Sequence, residues 1–166
     1  PAALEVSARA AEAAARAHDG ISQVESASAG YSLRDVHVAA TNGFSGGYRR
    51  TSSMLSCVAI AGEGLSMERD YDGDSRTFAA DLRSAQDIGD TAARRTLARM
   101  NPRRPATGAY PVLFDERVAS SLIGHLMAAA NGAAVARGAS WLRDALGEAV
   151  LPDALSLSED PHRVRA

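Results

Sequence analysis

The chain of 166 residues has a single cysteine, Cys57. That excludes an internal disulfide and any zinc site built on clustered cysteines, and it suits a reducing cytoplasm better than a secretory route. Aromatic residues make up only 5% and there is no basic excess, since 18 Lys and Arg stand against 20 Asp and Glu. No cationic field therefore invites a nucleic-acid backbone or an anionic membrane. Long apolar runs are also missing: the opening PAALEVSARAAEAAARAHDG carries charges throughout, and no stretch approaches the length of a membrane span. At this length one core can form without disulfides or a structural metal, so the sequence reads as a single α+β domain over residues 1–166. A chain that opens on Pro1 and stops at SEDPHRVRA reads as a piece of a longer protein.

What is present alternates between two textures. Residues 2–18 are rich in Ala, Glu and Arg and end before Gly20, which predicts a helix. SQVESASAGYS, LRDVHVAATNG, GYRRTSSMLSCVAIAGEG and LSMERDYDGD then carry alternating or β-branched residues between glycine and asparagine turns. They predict four strands in an antiparallel meander, with a tight reversal at Asn42-Gly43, an irregular entry at Gly46-Gly47 and a short connection at 62–64. Ser84 opens SAQD, a weaker capping box, and Ala85, Ile88, Ala92 and Met100 recur at helical spacing until Asn101-Pro102. RRP at 103–105 is the nearest thing to a hinge. YPVLFD predicts a short strand, Asp115 the cap of a long helix with Val118, Leu122, Leu126 and Ala129 on one stripe, and Gly147 the end of a further turn or two. LPDALSLSED reads as extended. The order gives an antiparallel β-meander with helices on one face.

Chemistry is harder to find. His125 heads the small-residue run GHLMAAANGAAVARGAS, but a helical metal site needs a second ligand three to five residues away, usually with a carboxylate nearby. Those positions hold Ser120, Ser121, Leu122 and Ala128, Ala129, Ala130, and no Asp or Glu occurs between Arg117 and Arg143. The small residues ask for a close neighbour, because Gly132 costs about 1 kcal/mol of helix propensity relative to Ala. A sheet packed on the helix is the ordinary explanation, and a partner chain or a passing peptide the functional one. Glu68, Asp70, Asp72 and Asp74 do not make a calcium loop, since counting from Asp70 puts Ser75 and Asp81 where a glycine and a glutamate are needed. Ser7, Ser45 and Ser53 lack a nucleophile elbow, and the glycines at 43–47 match no phosphate-binding loop. Cys57 reads as a buried, inert thiol. No complete catalytic constellation emerges.

NGFSGGYRRTSS, AGEGLSMERDYDGDSR, the run from RRPATGAYPVLFD to LRDALGEAV and the closing DPHR occur in an order that resembles the TldD/PmbA family, formerly described as modulators of DNA gyrase. The likeness is closest to its PmbA branch, also called TldE. The resemblance implies an N-terminal α/β region followed by a β-rich C-terminal domain, with these residues covering the later part of the first region. It implies that a TldD-like partner carries a zinc helix of the form HExxxH and forms a heterodimer with this chain. The pair would degrade peptides, among them a microcin leader and an antitoxin. Aligned on Arg137-Gly138-Ala139-Ser140, the three functional positions of that motif fall on Ile123, Gly124 and Ala128, none of which carries the required group. The expectation is thus a catalytically silent, cytoplasmic subunit with no cofactor of its own, zinc residing in the partner. His125, Asn131, Gly132, Arg137 and Gly138 would then line a peptide channel or an interface. The alternatives are a self-sufficient metallopeptidase with ligands outside this stretch, or a gyrase or toxin-system modulator acting by protein contact.

Overall fold

The computed structural model describes residues 1–160. These fall into two compact units that divide between Arg104 and Pro105, inside the RRP segment. The sequence reads as one domain; the described chain is organised as two.

The first unit, Pro1–Arg104, is built on helix α1 (Ala2–Arg16), strands β1 (Ile21–Ala39), β2 (Ser45–Ala61) and β3 (Glu68–Arg76), and helix α2 (Ala85–Ala98). The sheet is an antiparallel meander in the order β1-β2-β3. Three strands replace the expected four, because the first two predicted strands are one: the ladder to β2 runs from Ile21 to Ala39 with shifts only near Ile21 and Val24. Gly46 and Gly47 pair in register with Val38 and His37, so the irregular entry expected there is absent. The reversal at Asn42-Gly43 is present. Gly43 donates to the Ala40 carbonyl at 3.0 Å and takes a φ of 86°, a conformation that glycine reaches without a Cβ penalty.

Both helices of this unit lie on one sheet face. Along β2, Leu55, Cys57, Ala59 and Ala61 are buried in alternation, and they meet Ala11 and Ala15 of α1 and Ile88, Ala92 and Ala93 of α2. The core is made largely of alanine, so close approach replaces bulk. A Cβ at Gly89 would overlap the Ala11 carbonyl and stand 2.7 Å from the Ala14 Cβ, so only glycine fits where the helices cross. Thr96 ties α2 to the sheet: its hydroxyl accepts from the Asp70 N–H at 3.1 Å and donates to the Ala92 carbonyl at 2.8 Å. Ser84 caps α2 as expected, accepting from the Asp87 N–H at 3.1 Å.

The second unit runs over 105–160 among the described residues and contains α3 (Glu116–Ala129) and α4 (Gly132–Ala136). YPVLFD is not a strand, because no strand pairs with it among the described residues, and 141–147 makes turns rather than helix. Asp115 does cap α3, accepting from the Arg117 N–H at 3.0 Å. No helix of the described residues is long and apolar enough to cross a membrane.

Candidate functional site

The segment 116–140 folds as two helices, not one. α3 ends at Ala129, and Asn131 opens α4 by accepting from the Ala133 and Ala134 N–H groups at 3.0 and 3.3 Å. α4 ends on Gly138, whose φ is 68°. Its N–H donates to Val135 and that of Ala139 to Ala134, the paired bonds of a Schellman stop. Ser140 then folds back: its buried hydroxyl donates to the Ala129 carbonyl and accepts from the Leu142 N–H at 3.0 Å. In this unit Ala129 and Ser140 are the buried residues among those described.

Ile123, Gly124 and Ala128 sit on the exposed side of α3. Zinc requires nitrogen, sulfur or carboxylate donors at about 2.0–2.3 Å. These three side chains offer none, and no group of three or more His, Cys, Asp and Glu residues able to hold a metal occurs among the described residues. The residues present do not fit a zinc ion. His125 is exposed, two positions from the first ligand slot, and one turn either side of it are Ser121 and Ala129. Asn131, Gly132 and Gly138 are brought together by α4 as its cap, first residue and stop, with Arg137 exposed between. Among its described residues this unit contains no strand that could pack on the small residues. Ala128, Ala130, Ala133 and Ala136 are exposed, and apart from adjoining residues and the helix's own backbone no atom lies within 4 Å of where a Cβ would stand at Gly124 or Gly132.

The same helix displays apolar side chains outward. Val118, Leu122, Ile123 and Met127 are each more than two-fifths exposed, and at about 100° per residue they spread over roughly half of the helix circumference. Leu113 and Leu146 are almost fully exposed.

The acidic run on β3 has a structural role. Asp70 and Asp72 face the helices, and Asp72 accepts from Arg83 at 2.7 Å through one oxygen and from Arg95 at 2.5 Å through the other. Burial works against ionisation of Asp74, but the Arg83 and Ser75 backbone amides and the Arg76 guanidinium outweigh it and hold its carboxyl below the usual range. The Arg83 guanidinium does the same for Asp87, and a hydrogen bond from His18 for Asp90. Burial and the nearby Glu12 push the Cys57 thiol up to about 11, so it is no nucleophile at neutral pH. The pairs on Asp72 were not legible in sequence, because Arg83 and Arg95 reach it from elsewhere in the chain.

Comparison with known proteins follows the same division. Residues 2–100 match the family model for a PmbA/TldA metallopeptidase central domain, and residues 107–166 that for the C-terminal domain. The match therefore lies across central and C-terminal domains and not within the first region, as the resemblance implied; the DPHR stretch after Asp160 lies outside the described residues. Metalloprotease PmbA of Escherichia coli O157:H7 is 37% identical over 98% of this chain, which spans 36% of that protein. A Haemophilus influenzae homolog is 39% identical over 71% of the chain, and 26% of its own length is covered. Among solved structures, one described as a gyrase modulator from Bacteroides thetaiotaomicron superimposes over 98% of the chain and 38% of its own, with a TM-score of 0.80 and 27% identity. A Thermotoga maritima structure, at 16% identity and a TM-score of 0.57 over 63% of this chain and 24% of its own, shares the fold.

Proposed function

Because the chain belongs to the PmbA/TldD metallopeptidase family, we propose that it serves as the non-catalytic, TldE-like half of a two-subunit zinc peptidase that degrades or matures peptides. The observation that carries this reading is the helix α3. Three positions that would supply two ligands and a general base hold Ile123, Gly124 and Ala128. A metallopeptidase needs the metal to polarise the scissile carbonyl and generate its nucleophile, and a helix without donors does neither. What α3 retains is a surface: exposed apolar side chains beside a run of small residues, suited to a partner subunit or to an extended peptide at close range. In this reading zinc and catalytic base come from a TldD-like partner, and His125, Asn131, Gly132, Arg137 and Gly138 line the shared channel or interface. Cytoplasmic action is part of it, supported by the lone, buried thiol.

A second reading has its own support. The relatives matched are named metalloproteases, and this chain spans 36% of the E. coli protein, so ligands elsewhere in the full-length chain would make it an enzyme by itself. One experiment separates the two. The full-length protein, tagged and purified from its own host, is expected to bring down a companion bearing HExxxH, with zinc following the companion when the two are parted. Recovery of the tagged chain alone with one zinc per polypeptide would sink the silent-subunit reading.

A further inference from the structure

Beyond Ser53 the sheet narrows to a two-stranded ribbon, and its register sets Arg34 directly opposite Arg50. Opposed residues in an antiparallel pair share a face with Cβ atoms about 5 Å apart, where like charges destabilise. The next rung shows the stabilising alternative: Asp35 faces Arg49, which donates to it at 2.6 Å. Arg34 and Arg50 have no acidic partner among the described residues. Since Leu55, Cys57 and Ala59 point toward the helices, alternation places Arg50 on the opposite, open face. There the two guanidiniums line a concavity of about 330 Å³ with Ser32, Tyr48, Thr51 and Ser52. Every charged group in this lining is a cation and the rest carry hydroxyls, so the complementary ligand is an anion, best a planar carboxylate that guanidinium binds in bidentate fashion.

Two further observations select the kind of ligand. β3 pairs with β2 only from Ser53 to Ala61, so the edge of β2 over 45–52 has no strand partner among the described residues. An extended peptide adds to such an edge through its backbone and presents alternate side chains to one face. A nucleic acid would instead require an extended row of cations. This chain has a formal charge of −2, and Asp35 on the other face neutralises Arg49.

We infer that Arg34 and Arg50 form a carboxylate-recognition site on the open face of the ribbon, whose ligand is an acidic peptide extended along the free edge of β2. That the ligand is a peptide rests on the peptidase-subunit reading; the anion site rests on register and charge. The repulsion between the arginines is what the ligand relieves.

The test uses the full-length protein, with any copurifying companion, and a fluorescent probe Thr-Ser-Glu-Val-Glu-Thr-Ser beside its Gln-for-Glu twin. Binding by anisotropy is expected to favour the glutamate probe by about tenfold or more. The preference should vanish in the Arg34→Gln/Arg50→Gln variant and survive in part with Lys at both positions. Because the variant removes a like-charge pair, its thermal midpoint should equal or exceed that of the parent. Equal binding of the twins, a preference that persists in the variant, or a lowered midpoint would each overturn the site. Displacement of the probe by duplex DNA at equal charge would overturn the peptide assignment. Zinc content plays no part in these readouts, so a chain that proves to hold its own zinc can still pass, and a silent subunit can still fail.

Discussion

At the scale of single residues the fold turns on small side chains. Gly89 marks the crossing of α1 and α2, with the Ala11 backbone where its Cβ would be. Gly89→Ala is therefore expected to destabilise by about 1–3 kcal/mol despite its better helix propensity, since overpacking against backbone outweighs the propensity gain; urea denaturation of the two proteins measures it. The stripe of Ile88 and Ala92 was legible from helical spacing, and both are fully buried. Gly89 was not, because its requirement comes from Ala11 and Ala14 of α1, far earlier in the chain. Arg34 and Arg50 teach the same lesson about register. A two-residue loop on Asn42-Gly43 would pair Arg34 with Thr51, whereas the observed turn closes Ala40 on Phe44 and pairs it with Arg50. One residue of loop length decides whether the two charges meet.

Elements were legible where capping chemistry was local. Ser84 and Asp115 cap the helices they were expected to open, and each bond lies within three residues of the cap. The break between α3 and α4 was missed because alanine continues on both sides and helix propensity runs through it. The signals were nevertheless there: Asn131 is a strong cap residue and Gly138 a strong stop. Asn131→Ala should cost about 1 kcal/mol of local stability, enough to open a helix of five residues. Hydrogen exchange read by mass spectrometry is expected to speed up at residues 133–136 with protection in α2 unchanged. YPVLFD failed for the opposite reason, since apolar content predicts a strand only where a neighbouring strand supplies the ladder.

At the scale of the molecule the two units differ in kind. Pro1–Arg104 has a core between helices and sheet, while 105–160 keeps Leu113, Trp141 and Leu146 largely exposed. The first unit also holds depressed carboxyls at Asp74, Asp87 and Asp90. A carboxyl whose folded pKa lies below its unfolded value contributes stability that is complete above the unfolded value and is lost as pH falls through the folded one. The urea midpoint of this unit, followed by far-UV circular dichroism, should hold steady through mildly acidic pH and fall below about pH 4. Asp90→Asn should flatten part of that fall; an unchanged slope would show that the contact with His18 contributes nothing to it.

The long β1–β2 ladder has a mechanical consequence. At about 3.3 Å per residue its nineteen-residue strand measures roughly 60 Å, and only the end nearest Ile21 is clamped by helices and a third strand. The ladder is a cantilever. Its hydrogen bonds run unbroken through the free half, and its register shifts lie near Ile21 and Val24, at the clamped root. A load applied at Phe44 is borne as leverage on that root, beside Ala11, Cys57 and Ile88, so whatever grips the tip pulls on the core.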